Sequence, residues 1–323
     1  MDPVKRPRIP TAWYRPSLVW TATFLTYAPL LVAVPATMSR LALAHAQWWP
    51  LRLLVMVPCT VVAAYGFQLM GFVGHEGMHL SLTKNKLVSA CIGLFYASSV
   101  VSYFEMGFAA QHWTHHRFTN MQSDPDIEPV THLDTWWKRL LLARLTFNVH
   151  YAATTIRLAA GGDWPFKYRI PFKKRTIQRL AMANLVFGLT WIGGYITIFV
   201  IDRTTALVCV ALPMTTTLLI SGCQTFLDHA GVGDEPYRNA WSRTSLGMTL
   251  VYFGANYHLE HHLYPGVPCY RLWRVHALLR DQGVLDAERA AVQASFWGAY
   301  AALAKPYRLG RYDADFDPFL PAT

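Results

Sequence analysis

The sequence predicts an all-α integral membrane protein: four transmembrane helices plus a re-entrant or in-plane hairpin, with a cytosolic helical cap that holds a metal site. Three observations carry that prediction. Of the 323 residues, 53% are hydrophobic and only 15% charged, a balance that suits a bilayer protein better than a soluble domain. Four apolar stretches are long enough to span, since a spanning helix needs about 20 mainly apolar residues. Finally, eight of the thirteen histidines fall in three tight clusters, each just beyond a long apolar stretch.

The four stretches run from about Ser17 to Met38, Leu51 to Gly74, Leu180 to Ile201 and Thr204 to Leu227. A fifth, about Leu87 to Ala110, is interrupted by Glu105. The net charge of +10 is distributed in a way that excludes a nucleic-acid partner as its cause. Lys5, Arg6 and Arg8 precede the first span, and Lys138, Arg139, Arg144, Arg157, Lys167, Arg169, Lys173, Lys174, Arg175 and Arg179 fill the loop before the third. The other two links offer mainly Arg40 and Arg203. This positive-inside asymmetry predicts that both termini and the central loop are cytosolic. All three clusters then land on that face, which requires Leu87 to Ala110 to begin and end on one side. Residues 1–16 and 312–323, rich in Pro and charge, are expected to be loosely ordered tails flanking one membrane domain over 17–311. Cys59, Cys91, Cys209, Cys223 and Cys269 form no CxxC pair, so reduced, buried thiols are expected.

The clusters are His75-Glu-Gly-Met-His79, His112-Trp-Thr-His115-His116 and His258-Leu-Glu-His261-His262. On a helix, residues three and four apart share a face, so each cluster aims its imidazoles one way. Imidazole is a common ligand of mid-row transition metals, and eight are too many for one ion with four to six positions. Two metal ions are the natural count. HEGMH also fits the zinc-protease pattern, in which a glutamate between two histidines activates water, but that reading leaves most of the other histidines without work. A divalent-metal transporter would need polar residues across the midplane. A membrane haem protein would place axial histidines within the spans. His45, His132, His150 and His276 are taken as structural.

The words Gly74-HEGMH, HWTHHRFTN followed by Asp124-Pro-Asp126, and Asn256-Tyr-HLEHHLYPGVP resemble the membrane fatty-acid desaturase superfamily, which also holds acyl-chain hydroxylases and carotenoid ketolases. The resemblance covers roughly residues 60 to 275. It implies a centre of two iron ions (Fe2+/Fe3+) with O2 as co-substrate and His75, His79, His112, His115, His116, His258, His261 and His262 as ligands. A further ligand is common shortly after the last span, where His229 sits in Phe226-Leu-Asp-His-Ala-Gly. Asn256 is a candidate for holding a metal-bound water. Glu76, Asp124, Asp126, Asp228 and Glu260 are candidates for orienting the imidazoles, although Asp124-Pro-Asp126 is equally readable as a turn or helix cap.

The activity so implied is oxygen-dependent desaturation of a fatty acyl or other lipid chain, with hydroxylation or ketolation on the same scaffold as the alternative. The short spacing of the first cluster favours an acyl-lipid, acyl-carrier or free-chain substrate over acyl-CoA. No His-Pro-Gly-Gly haem motif occurs, so electrons are expected from a separate protein such as a ferredoxin, docking on the basic cap. Trp136, Trp137, Trp241 and Trp273 are expected in an interfacial belt.

Overall fold

A computed structural model describes residues 6–101, 103–122, 124–286 and 290–294. Two long helices, α1 (Leu18–His45) and α2 (Trp49–Met78), are joined by a short link and pack along their length. At about 1.5 Å per residue, the 30 residues of α2 reach about 45 Å, more than the ~30 Å hydrocarbon core. Its last turns therefore extend past an apolar layer, and His75 rides on them. The same holds for α6 (Lys174–Ile201) and α7 (Arg203–His229), the latter carrying a π-helical segment at Ala206–Ala211. These four helices are long and apolar enough to cross a membrane. Exposed Val34, Leu54, Val57, Leu189, Val200 and Leu207 give them the lipid-facing surface that a water-soluble bundle would bury.

The two ends of the bundle differ. At one, Arg40 near the end of α1 meets Asp202, which caps α7 through Thr204 N and Thr205 N, at 3.2 Å. At the other, α2 and α7 end among the histidines. Leu87 to Ala110 divides into α3 (Lys86–Ala97) and α4 (Glu105–Phe118), each too short to cross alone. His112 of α4 returns to within 3.0 Å of His75 of α2, so this segment starts and finishes at one end of the molecule, as a hairpin.

Close backbone approach fixes the hairpin. A Cβ on Gly77 would stand 2.5 Å from the Cα of Gly93, and one on Gly107 would stand 2.0 Å from the carbonyl oxygen of Tyr151 in α5 (Trp136–Ala159). Only glycine permits these crossings. The unpaired N–H groups that every helix start leaves are satisfied in α4 by neighbouring helices: Met106 N donates to Asn184 Oδ1 at 3.0 Å and Gly107 N to Thr155 Oγ1 at 2.8 Å. α5 turns a face of Leu141, Leu145 and Val149 outward beside Trp136 and Trp137, a pattern that suits a membrane surface.

The rest of the chain closes the histidine end. Short helices α8 (Leu246–Val251), α9 (His258–Leu263) and α10 (Leu272–Asp281) follow, and β1 (Ser242–Arg243) pairs in parallel with β2 (Val292–Gln293). Leu259, Leu263, Val267 and Val275 share one core with Phe24, Phe67 and Val73 of α1 and α2. Residues 6–16 differ from the loose tail expected. Arg6 donates to Leu263 O, Tyr264 to Pro7 O, and Arg271 to the carbonyls of Ala12 and Trp13. This strap has no regular structure at residues 6–10 and forms a 3-10 helix over Thr11–Tyr14, and its carbonyls become acceptors. The tail expected over 312–323 lies outside the described residues. Trp136, Trp137 and Trp273 are exposed as a belt requires, whereas Trp241 is tied to Ala230 O at 2.9 Å. The five cysteines are free.

Candidate metal centre

The first two clusters sit at helix ends shaped by a left-handed residue. α2 stops at His79 in a Schellman turn: Ser81 N donates to Glu76 O and Leu80 N to Gly77 O, with Leu80 at φ 60°. A left-handed Leu costs about 1–2 kcal/mol, which the packing around the site sustains. α4 ends similarly, with Asn120 at φ 61° and its N–H held by Asp124 Oδ2 at 2.8 Å.

The nine imidazoles nominated by the sequence converge. His75, His79, His112, His116 and His261 form one group, and His115, His229 and His262 another. His258 joins the second, its Nε2 standing 3.0 Å from that of His229 and 3.1 Å from that of His262. Within the first, the Nε2 atoms of His75 and His112, His112 and His116, and His79 and His116 are 3.0, 3.0 and 3.2 Å apart. The pair His115 and His229 stands at 3.3 Å. Two nitrogens bound to one zinc-sized ion at about 2.1 Å are separated by about 3.0 Å at right angles and about 3.4 Å in a tetrahedron. The observed spacings fall in that interval, so each group could hold a metal ion.

The outer nitrogens confirm which atom points inward. Nδ1 of His115 donates to Asp124 at 2.8 Å, that of His112 to Asp126 at 3.1 Å, that of His229 to Asn239 O at 2.8 Å and that of His262 to Thr119 Oγ1 at 3.1 Å. A proton on Nδ1 leaves the Nε2 lone pair facing the centre, the tautomer a ligand needs. His112, His115 and Asp126 also lie within 4.8 Å of one another, but Asp126 meets His112 at Nδ1. That set orients imidazoles and is no third position.

Burial lowers the pKa of His79, His112, His116, His258, His261 and His262 well below the usual histidine value, and their mutual repulsion adds to it. They stay neutral, as metal binding requires. At His115 burial also works to lower the pKa, but the Asp124 carboxylate outweighs it and the net shift is upward.

The acidic candidates divide. Asp124 is both things the sequence left open: it accepts from His115 and also from Asn120 N, Asp126 N and Ile127 N at 2.8, 3.0 and 3.3 Å, closing the turn. Asp126 accepts from Tyr151 OH at 2.7 Å as well as from His112, and its burial raises its pKa to about 6. Glu76 mainly braces the loop after the third cluster, taking Ser81 Oγ at 2.8 Å and Cys269 N at 3.0 Å, and only approaches His75 Nδ1 at 3.5 Å. Asp228 accepts from Gln224 at 2.8 Å and stays 3.9 Å from His258. Glu260 corrects expectation outright, because it holds no cluster imidazole. Two residues from His258 and one from His261, it lies on the opposite helical face and pairs with His276 Nδ1 at 2.7 Å and with Ser242 Oγ. Asn256 donates to Arg243 O and Thr249 Oγ1 at 2.6 and 3.1 Å, leaving a buried Oδ1 without a partner.

A cavity opens from the histidines toward the apolar part of the bundle. His75, His115, His229 and His258 line one end, and Phe72, Phe104, Phe108 and Phe147 much of the wall. Glu105, which the sequence shows only as an interruption of an apolar stretch, lines it too. Burial raises its pKa to about 8, against the opposing pull of Arg144.

Compared with curated proteins, the chain matches none. The family model for fatty acid desaturases matches residues 48–294, from the start of α2 to β2 and including every histidine of the centre, and the chain belongs to the fatty acid desaturase family.

Proposed function

We propose that this protein is a multi-pass membrane oxidoreductase that introduces a double bond into a fatty acyl or related lipid chain, using two irons held by the nine imidazoles. The observation that carries the reading is the convergence of nine imidazoles, in two groups, above one apolar-walled cavity. His75, His79, His112, His116 and His261 would hold one ion, and His115, His229, His258 and His262 the other. When bound, such a pair supplies, with O2 and two electrons, the oxidising power to take hydrogen from an unactivated methylene.

What the chain contributes follows from its own geometry. Asp124, Asp126, Thr119 and the carbonyl of Asn239 fix the imidazole rings by holding Nδ1–H, so no rotation is needed when a ligand arrives. The phenylalanine wall excludes water and aligns a chain so that one carbon lies beside the histidines. On the opposite side, His79, His116 and His262 border a second opening together with Arg6 and Arg117. This is a basic edge suited to an acidic electron carrier such as a ferredoxin. The distribution of Lys and Arg supports a cytosolic location for this end and for both termini.

Expression in a host of defined lipid content, followed by mass spectrometry of extracted lipids, tests the reading. A product two hydrogens lighter is expected, lost with His112→Ala or His261→Ala, together with about two irons per chain, one for each group. A product heavier by oxygen would assign hydroxylation or ketolation instead, and fully active protein containing zinc alone would remove the di-iron reading.

A further inference from the structure

Besides the imidazoles, the carboxyls of Glu105, Asp126 and Asp228 and the guanidinium of Arg144 line the cavity. Asp126 and Asp228 are hydrogen-bonded, whereas the side chains of Glu105 and Arg144 make no hydrogen bond among the described residues. Glu105 is 2% exposed, and its Oε1 is buried without a partner. Arg144 has a buried, unpartnered Nε, and its charge is met by the ring of Tyr103, 3.6 Å from the centroid. That face-on contact leaves the donor edge of the guanidinium open. No ion pair within 4.0 Å joins the two residues, although both line the same space. A buried carboxyl with nothing to bond costs several kcal/mol, and charged groups at membrane depth mark function by default.

Their placement is defined by the glycines they touch. A Cβ on Gly74, next to His75, would lie 2.9 Å from the Glu105 carboxyl carbon, and one on Gly222 would lie 3.3 Å from the backbone nitrogen of Arg144. Gly222 precedes His229 by seven residues, about 10 Å along α7. The charged wall thus runs from just beneath the first histidine group to about two turns below the second, inside the bundle and away from the cluster surface.

We propose that this wall seats a carboxylate, so that the substrate is a carboxylate-bearing amphiphile whose head enters the cavity and rests on Arg144, with Glu105 donating beside it. The inference rests on reading this cavity as the substrate site. The fork of a guanidinium matches the two oxygens of a carboxylate, and the protonated carboxyl of Glu105 adds a further donor. An alcohol would engage one donor and leave the rest of the guanidinium fork empty. A bulky phosphate headgroup would have to bury more polar atoms than these few donors serve. The carbon presented to the histidines is then counted from the carboxyl end of the chain.

The test is binding, read on the full-length protein purified in detergent, with iron measured on the same samples. Laurate and dodecan-1-ol, alike in chain length, are titrated and followed by tryptophan fluorescence. Laurate is expected to bind about tenfold tighter or more. Arg144→Met is expected to erase that preference, and Arg144→Lys to retain part of it. Equal affinities for the two probes in the unmodified protein would overturn the proposal, and so would an Arg144→Met protein of normal melting temperature that still prefers laurate. Should Arg144→Met fail to fold, the laurate to dodecanol ratio of the unmodified protein decides alone. Iron-loaded protein without the preference would sink this inference and spare the di-iron reading. Iron-free, active protein with the preference would do the reverse.

Discussion

Asp124→Asn isolates the dual role of one carboxylate. Oδ2 accepts from His115 Nδ1 and Asn120 N, both at 2.8 Å, while Oδ1 takes the N–H groups of Asp126 and Ile127. The amide of asparagine can keep Oδ1 in place only by turning its NH2 toward Asn120 N–H and His115. One buried backbone donor then loses its acceptor, at about 1–3 kcal/mol, and the charge assistance to His115 goes with it, for a total of about 2–4 kcal/mol. His115 Nδ1 can still reach Oδ1, 2.9 Å away, but it then shares a neutral oxygen with two backbone donors. Facing the NH2 instead requires the other tautomer, with the proton on Nε2 and no lone pair toward the centre. Loss of such an orienting partner lowers metal affinity by about 10–100-fold. Dialysis against graded chelator followed by elemental analysis should show the group of His115, His229, His258 and His262 emptying first, and the melting temperature should fall. An Asp124→Asn protein that keeps its metal content and its melting temperature would refute the argument.

Three further outcomes follow from the same geometry. Glu260→Gln should lower stability by about 1–3 kcal/mol while leaving metal content unchanged, since its partners are His276 and Ser242; loss of metal in that variant would contradict the face assignment. Gly107→Ala places a methyl 2.0 Å from Tyr151 O, so α4 and α5 must separate. A loss of about 1–3 kcal/mol is expected in thermal melts, and an unchanged melt would show the crossing to be loose. Metal-free protein should be acid-sensitive. Six imidazoles have lowered pKa values in the fold, so below pH about 6.5 the unfolded chain binds more protons and stability falls with pH. His115, shifted upward beside Asp124, and the carboxyls of Asp126 and Glu105, raised by burial to about 6 and about 8, oppose this but are outnumbered by the imidazoles. A melting temperature that is flat or rises from pH 7.5 to about 5.5 would contradict the assigned shifts.

The histidines were legible because helical spacing alone aims them, and the hairpin because their shared side demanded it. His229 needed the resemblance, having no neighbour to form a pattern. Glu260 was misread because proximity in sequence suggested proximity in space, whereas on a helix one or two residues is the wrong interval. Its true partner, His276, lies 16 residues away and carries no local signal. Thr119 and Asn239 escaped notice for a related reason: one acts through a hydroxyl and the other through a main-chain carbonyl, which any residue supplies. The N-terminal strap reads as unstructured because Pro and charge suppress α-helix, yet an extended stretch at Pro7 and a short 3-10 turn over Thr11–Tyr14 leave carbonyls free to accept from Tyr264 and Arg271.

That strap bears on how the protein is made. Arg6 and Leu263 are 257 positions apart, so the segment synthesised first waits for one synthesised near the end before it can settle. Until His258, His261 and His262 have emerged, neither group of imidazoles is complete. Both groups therefore form only after residue 262 has been made, and residues 6–13 close over that end like a latch.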